Sequence, residues 1–316
     1  MTDLILAFDF GGTKHIAGLT GRGERTLRAR RQVASPHGAN AHYDINTMIA
    51  LGREMLAGQR PAAVGVSFGG PVDYASGAVR LSHHVPGWEN LPLRQRLEDE
   101  FGAPARVDND ANVAALGEHR YGAGQGADSL LYITVSTGVG GGWILNGRPW
   151  RGHESMAGEF GHIQVDPNGP DCVCGSHGCV ERLAAGPNIA RRAREWLAAQ
   201  PNRGAQLRRL VGGNLSAVDG QAVAQAAAQG DELAWEALGV SAQALGVAIG
   251  STANLINPQR FVLGGGVTKS GARYWDLIRA TARAVAMPEV HYEILPAGLG
   301  DDAPLWGAVA LTELTV

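Results

Sequence analysis

All three cysteines of the chain fall in one stretch, GEFGHIQVDPNGPDCVCGSHGCVER, running from Gly158 to Arg182. In order along it stand His162, Cys172, Cys174 and Cys179. Three thiolates and one imidazole make a complete tetrahedral set for a structural zinc ion. A disulfide across Cys172-Val173-Cys174 would be strained, and the odd count leaves one thiol over. His177 is an alternative fourth ligand. With no open coordination position, such a metal shapes a loop and does not activate water. Glu159 stands just before His162 and Glu181 just after Cys179. Folding the loop around a metal therefore brings two carboxylates together, where they can accept hydrogen bonds from vicinal hydroxyls.

A second set of groups lies at glycine turns. In LILAFDFGGTK, Asp9 precedes a turn formed by Gly11 and Gly12 and followed by Thr13 and Lys14. Glycines let backbone N–H groups approach a phosphate without a Cβ in the way. Asp9 suits Mg²⁺ held through water, while Thr13 and Lys14 offer a hydroxyl and a positive charge. The turn at Thr137 and Gly138 offers another cradle. The pattern is not a P-loop, because Thr268 stands where the motif needs glycine before Lys269,. No turn carries a clean G-x-G-x-x-G, which argues against a dinucleotide site. In RVDNDANVAALGE, Asp110 falls where a strand gives way to a helix, and free helix N–H groups keep a carboxylate there ionised. An N-cap is one reading of Asp110. The other is the base that accepts a hydroxyl proton in phosphoryl transfer, with the amide of Asn109 beside it to meet a polyol.

The elements that must position these groups are legible as apolar runs. Strand character marks residues 4–10, 62–68, 104–109, 130–135 and 260–264, and the glycine turns follow three of these runs. Three runs of one shape, 4–14, 130–142 and 260–271, hint at two related halves. Apolar spacing near 3.6 predicts helices within 42–58, 110–122, 188–200, 231–256 and 274–286. The apolar stretch around ALGVAIGSTANLI reads as a buried helix, and 200–221 as a surface connection. Strands alternating with helices predict an α/β protein in two domains.

Composition narrows the function classes. The net charge of −3 gives no reason to expect a nucleic acid or membrane partner,. The opening MTDLILAFDF lacks a basic n-region and a long apolar core, so a cytoplasmic location is expected, where cysteines are more often thiols or metal ligands than a disulfide framework. Of the 27 basic residues only Lys14 and Lys269 are lysines, both beside glycine turns.

DFGGTKHIAG, DNDANVAALGE, STGVGGG and the cysteine stretch together resemble the ROK family of sugar kinases and sugar-responsive repressors, in particular its glucokinase-like branch. The resemblance covers essentially the whole chain. It implies an actin-like ATPase (ribonuclease H-like) fold, two α/β domains around a central cleft. The first would span 1–113 plus 298–316, the second 114–297 with a zinc loop at 159–182. It implies Asp110 as catalytic base. Sugar contacts would come from Gly70, Asn109, Asp110, Glu159, His162 and Glu181, with His162 also a zinc ligand beside Cys172, Cys174 and Cys179. Asp9, Gly11, Gly12, Thr13, Lys14, Thr137 and Gly138 would hold phosphates, and Gly264, Gly265 and Gly266 the adenosine side. Mg-ATP would then phosphorylate the 6-hydroxyl of a hexose, glucose first. N-acetylmannosamine, N-acetylglucosamine, fructose, mannose and allose are the alternatives. A homo-oligomer, dimer or tetramer, is expected. Gly69 replaces a frequent proline, and His84 a frequent asparagine. A repressor would need a helix-turn-helix before the first strand, which begins within a few residues of Met1.

Overall fold

The computed structural model describes residues 3–12, 14–82 and 85–314. Thr13 and His84, both singled out above, lie outside the described residues. The chain divides into two units. One comprises 1–132, 142–158 and 297–316, the other 133–141 and 159–296.

The first unit is organised by β1 (Leu4–Phe10), which is buried along its whole length. Its alternation decides what each face meets. Leu4, Leu6, Phe8 and Phe10 enter one apolar cluster, which leaves Ile5, Ala7 and Asp9 to the opposite face. β1 pairs antiparallel with β2 (Lys14–Gly21), which pairs antiparallel with β3 (Ala29–Ala34). On its other side β1 pairs parallel with β4 (Ala63–Phe68). Two short strands, β5 (Val72–Asp73) and β6 (Ala78–Val79), form a separate hairpin. β4 then pairs parallel with β7 (Ala105–Asn109), giving the order β3-β2-β1-β4-β7.

Helices α1 (Ala41–Leu56) and α2 (Leu93–Phe101) supply Ile45, Met48, Leu93, Leu97 and Phe101 to the cluster on one face. Helix α3 (Asp110–Tyr121) follows β7 with no intervening residue.

A second sheet runs β10-β9-β8-β11-β12, built from β8 (Leu130–Val135), β9 (Val139–Leu145), β10 (Arg148–Trp150), β11 (Arg260–Gly264) and β12 (Glu293–Pro296). In chain order this repeats the first sheet: an antiparallel meander whose first strand also neighbours a later strand. The likeness of the glycine-turn segments thus has a topological counterpart.

The second unit holds α4 (Val180–Ala184), α5 (Gly186–Ala199), α6 (Ala205–Leu210), α7 (Gly220–Ala228), α8 (Glu232–Ile256) and α9 (Ala272–Val285). Within it, α8 packs against α4, α5, α7 and α9. It is long and apolar enough to cross a membrane, yet 72% of its most apolar window is buried inside the protein. The surface connection expected at 200–221 instead contains α6, whose Leu207 is buried. Six residues are too few to establish a helical period by eye. The last helix, α10 (Ala303–Leu311), belongs to the first unit and packs on α3, β1 and β4. It closes the sheet face that carries Gly65, where a side chain would collide with the Ala308 carbonyl.

Candidate active site and metal centre

In the first unit, polar groups collect at the ends of β1, β4 and β7. The register pairs Asp9 with Ser67 and Ser67 with Asp108, so all three share one sheet face,. The Ser67 hydroxyl donates to Asp9 Oδ1 at 2.7 Å. Burial pushes the Asp9 carboxyl up to about 7, the Asp110 charge adds to the rise, and the Ser67 hydrogen bond and Lys14 oppose it. A buried carboxylate with one hydroxyl partner has strong reason to bind a cation. Beyond it, Gly11 N–H donates to the Lys14 carbonyl at 3.1 Å, closing the tight β1–β2 turn. Gly12 and Lys14 are exposed at its tip.

The junction between β7 and α3 places Asp110. Asn109 caps the helix, its Oδ1 accepting from Ala111 N–H at 3.0 Å and Asn112 N–H at 3.4 Å. Its amide donates to the Gly70 carbonyl at 3.1 Å. The cap role left open for Asp110 therefore belongs to Asn109. Asp110 Oδ1 accepts from Ala111 N–H at 2.8 Å. Its Oδ2 faces Gly69, 3.8 Å from where a Cβ on that residue would stand. The Gly69 N–H, which a proline there would lack, donates to the Phe10 carbonyl at 2.9 Å. Gly70, Asn109 and Asp110 are thereby brought together beside the end of β1.

Sequence patterns did not single out Asp108. It is buried, and Arg151 Nε donates to its Oδ2 at 2.6 Å. Burial pushes its carboxyl up and the Arg151 guanidinium pulls it back. Ser67 also escaped, although a lone hydroxyl in the buried run AVGVSF was a visible signal. His15, for which the sequence offered no role, is buried with Nε2 2.8 Å from Asp44 Oδ1 on α1.

In the second unit, His162, Cys172, Cys174 and Cys179 present four ligand atoms within 4.8 Å of one another. Three sulfurs and one imidazole nitrogen at that spacing fit a tetrahedral zinc ion. His177 is not in the group; its residue instead forms a backbone bridge with Asp171. Gly178 turns the chain at φ +60°, and a side chain there would collide with the Asp166 carbonyl. Burial and the neighbouring thiols push the Cys179 thiol up to about 12, whereas the Ser176 backbone and the neighbouring Cys172 bring the Cys174 thiol down to about 7.

This loop converges on the second glycine turn. The isolated bridge Gln164–Cys179 and the Val180 N–H to Ile163 carbonyl bond, 3.0 Å, tie its two ends together. The first end is a single 3-10 turn, Phe160–His162, in which Gly161 packs on the Val139 carbonyl. The other end opens α4, where Glu181 Oε2 accepts the Val139 N–H at 2.9 Å and lies against Gly138. Glu181, Gly138 and the 160–162 turn are thus gathered around Val139, while Glu159 and Thr137 are exposed nearby in the sequence. The third turn follows β11. Gly265 adopts φ +91° and lies so close to Val135 that a side chain would strike its backbone. Gly266 opens a 3-10 turn to Lys269.

The ROK family model matches residues 5–314. The glucokinase of Streptomyces coelicolor is 33% identical over 317 residues, covering 98% of this chain and 97% of that protein. The N-acetylmannosamine kinase of Escherichia coli is 32% identical over 308 residues, 98% of each. Among solved structures, the ROK glucokinase of Streptomyces griseus in complex with glucose and AMPPNP superposes with a TM-score of 0.83, at 36% identity and 98% coverage of both chains.

Proposed function

The chain belongs to the ROK family, and from that premise we propose an ATP-dependent hexose kinase of the cytoplasm that phosphorylates the 6-hydroxyl of glucose. The observation that carries this reading is the Asp110 carboxylate at a helix start beside Gly69, next to an Asn109 amide anchored on the Gly70 carbonyl. The end-to-end similarity to glucokinases supports it.

In this reading Asp110 takes the proton of the attacking hydroxyl. The N-terminal position on α3 favours its ionised form, and a loose phosphoryl transition state asks little basicity of it. Asn109 and the Gly70 backbone orient the acceptor, and Glu159, His162 and Glu181 accept from or donate to the other sugar hydroxyls. Asp9, Lys14 and the N–H groups of the turns at Gly11–Gly12 and Thr137–Gly138 bind the phosphates with Mg²⁺, and Gly264–Gly266 leaves room for the nucleoside. Mg²⁺, when bound, neutralises charge on the transferring phosphoryl group. Cys172, Cys174, Cys179 and His162 hold a structural zinc ion that fixes the ends of the 159–182 loop.

The test is ADP release by the zinc-replete protein with Mg-ATP and a hexose panel, for the native chain and Asp110→Asn. Glucose is expected to give the highest kcat/KM, and the variant to lose about 10²–10⁴-fold in kcat with glucose affinity retained. Turnover confined to an N-acetylated sugar would move the substrate to that of the Escherichia coli relative. Near-normal activity of Asp110→Asn would remove that residue as base.

A further inference from the structure

We infer that Arg151 is a positioning residue for phosphoryl transfer: held on the face of Tyr74, it fixes Asp108 and thereby sets the strand-to-helix junction that presents Asn109 and Asp110. The inference rests on the reading of Asp110 as the base. All the residues involved lie in the first unit.

The junction has no intervening loop: β7 ends at Asn109 and α3 starts at Asp110. Asp108 spans it. Its Oδ1 accepts from the Asn109 N–H at 2.8 Å and from the Asn112 amide at 3.3 Å. One carboxylate thus grips the residue before Asp110 and a residue in the first turn after it. The remaining oxygen, Oδ2, takes the Arg151 Nε at 2.6 Å. Arg151 is itself immobilised. Its guanidinium carbon lies 3.4 Å from the centre of the Tyr74 ring, and its carbonyl accepts the Ala157 N–H at 2.9 Å.

The chemistry of the pair argues for more than stability. The side chains of Arg151 and Asp108 are 14% and 2% exposed, respectively. Removing two charges from water is costly, and an apolar pair of like volume is often as stable. What an apolar pair lacks is direction. A charge-assisted bond plus two further acceptor contacts fixes the carboxylate plane, and with it the Asn109 peptide and the cap built on Asn109 Oδ1. Small errors at such a point matter, because displacement of a reacting group by about 1 Å costs on the order of 10²-fold in rate. Arg151 also neutralises a carboxylate two residues from Asp110, a position where an uncompensated charge would oppose ionisation of the base.

The experiment is steady-state kinetics of the full chain with glucose and Mg-ATP. Arg151→Met, Arg151→Lys and Asp108→Asn are each made in the native background and in Asp110→Asn, with folding checked by circular dichroism. Arg151→Met is expected to lower kcat about 10–100-fold with the KM for Mg-ATP changed less than about twofold, and Arg151→Lys to recover part of the loss. In the Asp110→Asn background the residual turnover is expected to stay unchanged by Arg151→Met, since the residue acts through the base. A folded Arg151→Met protein with native kcat overturns the inference. So does an equal loss in both backgrounds, which marks a general structural role. Should Arg151→Met fail to fold, Asp108→Asn takes its place in the two-background comparison: a loss confined to the native background supports the inference, and native kcat or an equal loss in both overturns it. Native activity in Asp110→Asn alone defeats the reading of the base, and this inference with it.

Discussion

The β1–β2 and β8–β9 turns occupy corresponding places in two sheets of the same strand order, yet they are equipped differently. The first carries its chemistry locally. Asp9 stands one residue from the end of the buried strand, Lys14 opens the next, and Ser67 reaches Asp9 from the adjoining strand in register. The second turn has no charged residue between Leu130 and Leu145. Its carboxylate is Glu181, delivered to the Val139 N–H from the start of α4 by the cysteine loop. One glycine turn is therefore fixed by a sheet, whereas the other depends on a loop that a metal would organise. Perturbations of the first should act on chemistry with the fold intact, and perturbations of the second should couple metal, loop and ligand.

The largest effect is expected at the first turn. Asp9→Asn should reduce kcat/KM by about 100-fold or more, as loss of a preorganised charge at a transferring phosphoryl group does. The same change should make the ligand-free protein more heat-stable at pH 8. The native carboxyl is pushed up to about 7 by burial, against about 4 in an unfolded chain. Its ionisation therefore opposes folding: stability is full below about pH 4, declines through the window up to 7, and stays low above. The advantage of the asparagine, a few kcal/mol at most, should accordingly vanish in acid. Melting curves at pH 4 and pH 8 decide it; a variant less stable at pH 8 would contradict the buried-charge account.

Next comes the metal. Cys174→Ser should lose bound zinc, measured by elemental analysis, and weaken glucose binding on the order of tenfold in titration calorimetry. Zinc lost with sugar affinity intact would uncouple the loop from Glu159 and Glu181. A smaller change is expected from Glu181→Gln. It keeps an acceptor for Val139 N–H but removes the charge, so about 1 kcal/mol of stability and a few-fold rise in glucose KM should follow. An unchanged KM would confine Glu181 to bracing the turn.

The smallest effect is expected from Ser67→Ala. The hydrogen bond from Ser67 lowers the Asp9 pKa, so its loss should move the acid limb of the kcat/KM profile upward, by less than about one pH unit. A limb that does not move would show that a group other than Asp9 sets it.

How much of the site was legible follows the same division. Where the candidate groups lie within one short segment, composition and spacing picked them out. Asp9 before its glycines, Asn109-Asp110 at a helix start, and the His162, Cys172, Cys174, Cys179 set are of this kind. Where support comes from another element, the sequence was silent. Asp108 was visible as a letter, but its partner Arg151 is supplied by β10's end. His15 stayed unexplained because Asp44 arrives on α1. The short helix at 205–210 escaped for another reason: its single buried leucine leaves no period to read.

By itself, then, the amino-acid sequence determined the α/β class, the glycine turns, the His/Cys loop with metal-ligand spacing and the carboxylate at the start of α3. Each of these is set by local rules: alternation in strands, helix period and capping, the close backbone approach that glycine permits, and ligand spacing. The tertiary structure decided which groups support them. Sheet register put Ser67 against Asp9, the closed loop put Glu181 against Val139, and the chain just after β10 put Arg151 against Asp108 on β7. Such pairings follow from packing between elements distant in the chain, and no pattern within a single segment encodes them.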